Sequence, residues 1–451
     1  MDRFAADLRL SPRRHERTRL SSSRQVLPVT DQSIHSTLTA LAMFALMGEL
    51  VYLLVRRLRR SMPGFEIATP ALVALGVRVL AAMLISLTSV AQTLRGGDEF
   101  TFLDHATRVA RTPFGSSEWT NALLTELHVY VIAVQRYFFD SPELALRVTQ
   151  AGIAVIGLVL LAAAVYELAG ARASVVAMWL LAFEPAGIFF SSLLHKEANM
   201  MLAIGLVAFG GARIWRRAQT RYLVPIVLGC LIAVGTRHYA GWFLIAAGAA
   251  TVMHAGLLRE NREAMRSLAM VAFVVLFAAV AAPTVLSAST NESLEKNLQV
   301  PQEANTSDNS NLKLEKVDFS TRAGVVKNLP RRSVDVLFRP FPWQLGNVSQ
   351  MLGFFGTVAA YLALFFLARE MLRNRGQIMT RAGPLIYTAL FMLMAYSLSA
   401  GNAGTAFRYR TQIIALLICI VVALRQPAES TSRVKGAEGV RQWERLTPTG
   451  A

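Results

Sequence analysis

The chain has 451 residues, of which 54% are hydrophobic and only 17% charged, and its mean hydropathy is +0.41. Soluble domains carry about 25% charged residues, so this composition excludes a disordered chain and argues against an ordinary soluble enzyme. The formal net charge of +17 would suggest nucleic-acid binding in a soluble protein. Here the basic residues sit mostly in short segments between apolar runs, where they read as topology signals and contacts to membrane lipids, with no nucleic-acid partner expected.

Residues 1–34 form a polar, arginine-rich tail, and residues 426–451 a second polar tail. Residues 35–425 between them read as one multi-span domain. Its apolar runs lie near 36–55, 68–93, 143–168, 173–193, 197–215, 222–236, 239–257, 267–287, 350–370, 383–399 and 408–424. A bilayer-spanning helix takes about 20 apolar residues, so the expected fold class is an all-α polytopic membrane protein with about eleven transmembrane helices. Cys230 and Cys419 both fall inside apolar runs. They are expected to be buried thiols, and no disulfide framework or zinc spacing is present.

Orientation follows the positive-inside rule. Arg56, Arg57, Arg59, Arg60, Arg172, Arg213, Arg216, Arg217, Arg221, Arg259, Arg262, Arg266, Arg369, Arg373, Arg375, Arg381 and Arg425 fall in one alternate set of loops, expected to be cytoplasmic. The opposite set contains 94–142, 194–196, Arg237-His238, 288–349 and 400–407, and is expected to face outward. This places the arginine-rich N-terminus outside as well, against the same rule. The cluster at Arg56–Arg60 directly abuts its span and takes precedence. In the outward segment 94–142, Leu123, Leu127, Val131 and Val134 recur at helical spacing, which predicts one amphipathic helix over Trp119–Phe139 lying on the outer leaflet.

The outward segments hold the residues able to carry chemistry. Asp98-Glu99 follows Gly96-Gly97 just beyond the second span. A carboxylate there can act as a general base or hold a divalent metal, or it is simply solvated. Asp104 and His105 follow on the same segment as secondary candidates. Glu184 lies inside an apolar run beside Pro185; it is either functional, as ionisable groups in a membrane often are, or it relieves the proline's missing donor. His195, Lys196 and Glu197 open the fifth span, where a cation can bind phosphate or snorkel to headgroups. Arg147, Arg237, His238, Arg408 and Arg410 share the outward side, where arginine suits bidentate phosphate recognition or anchors to headgroups. No ATPase, serine-hydrolase or zinc-protease motif is present.

The segment GDEFTFLDHA (97–106), placed outside after an early span, resembles the first external loop of the GT-C glycosyltransferases. SPELALRVTQAG (141–152), EPAGIFFSSLLHKEANMML (184–202) and TRHYAGW (236–242) resemble later segments of that superfamily, the protein O-mannosyltransferase and aminoarabinose-transferase relatives included. FRPFPWQLGN (338–347) and GNAGTAFRYRTQ (401–412) resemble segments of bacterial membrane proteins linked to surface polysaccharides. Order and shared sidedness carry the resemblance over residues 70–425. It implies a GT-C-like fold in the cell membrane. It further implies transfer of a sugar from a polyprenyl-phosphate donor to a glycan, lipid or protein acceptor. The family's acidic catalytic residue maps onto Asp98, with Glu99 orienting it or sharing a divalent metal. Lys196, His195, Arg237, His238, Arg408, Arg410 and Arg147 would hold the phosphate. The chain departs from the family in an extra early span and a short 288–349 loop. A polysaccharide polymerase or ligase and a lipid-linked glycan flippase are the alternative readings.

Overall fold

A computed structural model describes residues 29–88, 97–257, 317–339, 341–344, 348–400 and 403–425. Among them the regular structure is entirely helical. The helices are α1 (Val29–Arg59), α2 (Ala68–Leu87), α3 (Gly97–Ala110), α4 (Ser117–Thr125), α5 (Leu127–Phe139), α6 (Glu143–Ala169), α7 (Ala171–Ala182) and α8 (Pro185–Ser191). They continue with α9 (Glu197–Arg217), α10 (Leu223–Thr236), α11 (His238–Leu257), α12 (Arg322–Phe338), α13 (Val348–Arg373), α14 (Ile378–Ser399) and α15 (Ala403–Arg425).

Six of the described helices are long and apolar enough to cross a membrane: His35–Arg59 within α1, α2, α6, α9, α14, and Gly404–Arg425 within α15. The bent pair α7–α8 makes a seventh if it is one span. The chain is therefore a helical membrane protein. Every other expected run coincides with a helix except 267–287, which lies outside the described residues. Of these, α10 is short, and α11 and α13 do not join the six.

The core is built around α6 and α9. α6 is apolar around most of its circumference, and both helices are 89% buried over their most hydrophobic stretch, against 22% for α1 and 39% for α2. A helix that is apolar all round belongs in the interior of a membrane bundle. Gly157 and Gly205 let the two backbones approach: a Cβ on Gly157 would stand 2.5 Å from the carbonyl oxygen of Met201. Small residues at a crossing provide the close packing that holds helices together in lipid. On the periphery, Leu38, Leu41, Leu50 and Leu53 of α1 and Leu80, Leu84 and Leu87 of α2 are exposed, as suits a surface facing acyl chains.

Among the described residues, one end of the bundle gathers the 59–66, 167–172, 213–222 and 374–381 segments expected to be cytoplasmic. Arg213 bonds the Ser61 hydroxyl and, with Arg217, pairs with Glu167 at 2.9 Å. Trp215 donates to the Thr380 carbonyl at 3.0 Å. The opposite end gathers the described parts of the segments expected to face outward.

The single helix expected over Trp119–Phe139 is two helices, broken at Glu126, whose backbone is non-helical at φ −141°, ψ 56°. The break shifts the helical phase. Val129, Ile132 and Ala133 are buried against Ala106 and Val109 of α3, while Leu123 is exposed. Segment 97–139 thus folds as a three-helix cap. Its exposed face carries Phe114, Tyr137, Phe138 and Phe139, with Phe114 and Trp119 packed edge to face at 4.9 Å. Aromatic residues concentrate at membrane–water boundaries in this way.

Candidate functional site

The N-terminus of α3 places two adjacent acids about 100° apart around the helix, and they part company. Asp98 is 56% exposed, and its Oδ2 accepts from Arg408 Nη2 at 2.7 Å. Glu99 is fully buried. Its Oε1 lies 2.6 Å from Arg147 Nη2 and accepts the Leu194 backbone N–H at 3.2 Å. Arg147 also pairs with Glu143 at 2.7 Å and donates to the Ser192 carbonyl at 3.2 Å. This buried junction ties α3, α6 and the 192–194 turn together. It also removes Glu99 from the exposed face, so the two acids do not form a shared ligand set for a divalent metal. Among the described residues no group of three or more His, Cys, Asp or Glu is arranged to hold one.

The turn between α8 and α9 brings His195, Lys196 and Glu197 to the same place. His195 is 2% exposed, and its Nδ1 lies 3.4 Å from Arg408 Nη1. Burial, first of all, pulls its pKa from 6.5 to about 4. It is neutral at pH 7 and accepts from Arg408, so it is not the phosphate-binding cation expected from the sequence. Lys196 lies over the Phe102 ring at 5.0 Å and makes no ion pair among the described residues. Burial lowers its pKa, with Arg237 adding to the effect. Glu197 pairs with Arg237 at 2.6 Å, and Arg237 stacks on Tyr409, 4.5 Å from the ring centre.

Arg408, half of the Asp98 pair, is the hub: it touches α3 through Asp98 and the 192–196 turn through His195. Arg410 points elsewhere. It donates to the carbonyls of Leu337 and Arg339 and to the Thr357 hydroxyl, joining α12 and α13 to α15. Three further candidates are not brought in. His238 is exposed beside Arg237. Asp104 forms an exposed pair with Arg108 at 3.2 Å. His105 pairs with Glu126 at 2.8 Å, bracing the break in the cap.

Glu184 sits at the break between α7 and α8, where the axis bends by 65°. It caps α8, accepting from the backbone N–H groups of Ala186 and Gly187, with Pro185 as the first helical residue. This is the proline-relieving role. Arg78 of α2, buried within the bundle, donates through its two Nη atoms to the carbonyls of Leu181 and Ala182 at the end of α7. A cation at a helix C-terminus and an anion at an N-terminus both complement the helix dipoles. Arg78 escaped the sequence reading, although it is an ionisable residue in an apolar run, the same signal that singles out Glu184. Between them lies a small cavity lined by Arg78, Glu184, Ser191, Glu197, Met201 and Thr411. It leaves ≈ 20 Å³ for the centre of a water molecule, room for about one.

His128 also escaped notice. It is fully buried in the cap, and its Nε2–H donates to the Leu194 carbonyl at 3.0 Å. Burial drives its pKa from 6.5 to about 3. His128 and His195 therefore bind protons more readily in the unfolded chain than in the folded one. Stability should be full above pH 6.5 and fall as the pH drops toward 4, by about 1.4 kcal/mol per pH unit for each histidine. Thermal unfolding of the purified protein at stepped pH checks this; a His128→Asn variant with an unchanged slope would contradict it.

No family model, curated protein or solved structure matches the chain.

Proposed function

We propose that the protein is a GT-C-like glycosyltransferase of the cell membrane, acting at the outward end of its bundle. It moves a sugar from a polyprenyl-phosphate donor to a hydroxyl of a glycan, lipid or protein acceptor. The observation that carries this reading is the meeting of Asp98 with Arg408 across 310 residues, beside His195 and Lys196. Those are residues the family resemblance nominates, and their segments are far apart in the chain.

Asp98 is the base. It takes the proton of the acceptor hydroxyl as that oxygen attacks the anomeric carbon. The bond from that carbon to the phosphate oxygen breaks, and its electron pair leaves with the polyprenyl phosphate. Inversion at the anomeric carbon follows from this direct displacement. Arg408 faces both ways: paired with Asp98 when the donor is absent, it turns to the donor phosphate when it arrives and frees the carboxylate. Lys196 supplies a second positive charge to the leaving phosphate. The aromatic rim of the 97–139 cap meets the lipid through which the donor enters.

The reading requires Asp98 to lie outside the cell. Ser117, exposed at the start of α4, reports on it when replaced by cysteine, because Cys230 and Cys419 are buried and give no background. A membrane-impermeant maleimide should label Ser117→Cys in intact cells. Labelling only after lysis would put the carboxylate in the cytoplasm and end the proposal. The reaction itself is tested by sugar transfer from a radiolabelled polyprenyl-phosphate sugar in membrane vesicles.

A further inference from the structure

Of the arginines nominated from the sequence, Arg147, Arg237 and Arg408 are paired with carboxylates and Arg410 is spent on backbone carbonyls and a hydroxyl. Among the described residues, Arg332, in the polar segment between the expected spans, is a buried arginine with all three guanidinium nitrogens unpartnered. It lies on α12, which packs against α13, α14 and α15. The helix is held by a 3.0 Å contact between the Ser333 and Ser397 hydroxyls, and by Arg410, which donates to the carbonyls of Leu337 and Arg339.

On the inward face of this helix Arg332 is 0% exposed. Its Nε, Nη1 and Nη2 have no hydrogen-bond partner among the described residues. Asp335, the nearest acid in sequence, is turned to Arg339, with Oδ1 2.8 Å from Nε, and its Oδ2 is unpartnered. Burial lowers the Arg332 pKa to about 10, with Asp335 opposing and Arg339 and Arg331 adding to the fall, so the group stays cationic at neutral pH. Buried polar groups in native proteins are almost always satisfied, and a buried charge without a partner is costly.

We propose that this face of the 322–338 helix, centred on Arg332, binds a phosphate-type anion. The guanidinium fork offers parallel donors that match phosphate oxygens. With Asp335 taken up by Arg339, Arg332 brings an uncompensated positive charge to this face, which an anion would balance. Arg410 ties this helix to the strip of α15 that carries Arg408, so the anion binds at the same end of the bundle as Asp98. The site requires anion binding only, and it stands or falls independently of sugar transfer.

The test is thermal unfolding and direct binding on the full-length protein in lipid nanodiscs, with farnesyl phosphate, with inorganic phosphate, and with chloride at equal ionic strength. Wild-type protein should show a saturable stabilisation by phosphate that chloride does not reproduce. Arg332→Gln should weaken binding by about tenfold or more, the effect of losing a charged hydrogen-bond pair. Arg373→Gln, an exposed arginine at the other end of the bundle, should bind as wild type. A response to farnesyl phosphate alone identifies a lipid-borne phosphate, and an equal response to inorganic phosphate a free one. If Arg332→Gln does not fold, Arg332→Lys takes its place, with weakened but measurable binding expected. Absence of any phosphate-specific shift in wild type, or wild-type binding by the Arg332 variants, would overturn the proposal.

Discussion

Asp98→Asn should lower sugar transfer by about 10²- to 10⁴-fold, the usual contribution of a positioned general base, with donor binding nearly unchanged. The amide keeps the shape of the carboxylate and can still accept from Arg408, but it cannot take the acceptor's proton. Asp98 is more than half exposed and its one described ion pair is with Arg408, so the substitution should leave folding intact. Initial rates and donor affinity measured on the same preparation separate the two effects. Arg408→Gln should behave differently. It removes a phosphate contact and uncouples His195, so both donor affinity and rate fall. Transfer that survives Asp98→Asn but not Arg408→Gln would sink the base assignment and favour a polysaccharide polymerase or ligase driven by basic residues.

The second large effect concerns stability. Arg147→Met should destabilise the protein by about 3–5 kcal/mol, because it strands a fully buried carboxylate at Glu99. Glu99→Gln should cost less, since Arg147 keeps Glu143 at 2.7 Å. The double variant Glu99→Leu with Arg147→Met should recover most of the loss, as apolar replacement of a buried pair is often neutral. Denaturant unfolding in detergent gives the three values. Equal stability of Arg147→Met and wild type would mean that the junction of α3, α6 and the 192–194 turn is held by packing alone.

Periodicity and charge were enough to place most of the helices, since each apolar run must pair its own backbone in lipid. The described loops at the arginine-rich end, 59–66, 167–172, 213–222 and 374–381, meet one another as their charge pattern suggested. Side-chain pairing was not legible. Asp98 and Glu99 are neighbours in sequence, yet one faces solvent and the other the interior, and only the helical phase of α3 decides which. His195 stands among cations but is itself neutral through burial, which no local pattern displays. The break at Glu126 coincides with its contact to His105 and with the anchoring of His128 under Leu194, neither of which local sequence displays. Arg332 was hidden because a polar segment outside the apolar runs reads as solvated until packing against α14 and α15 encloses it.

The contact between Arg78 and the end of α7 has a consequence for synthesis. Arg78 leaves the ribosome 103 residues ahead of its acceptor at Leu181, a wait of roughly 5–20 s at ordinary elongation rates. During that interval the Arg78 guanidinium has the Ala74 carbonyl of its own helix but not the acceptors on α7, and the bilayer interior disfavours a cation so poorly satisfied. The second span thus gains its full stability in the membrane when α7 has been made. The packing of this part of the chain is then completed late, when the end of α7 arrives to receive the charge.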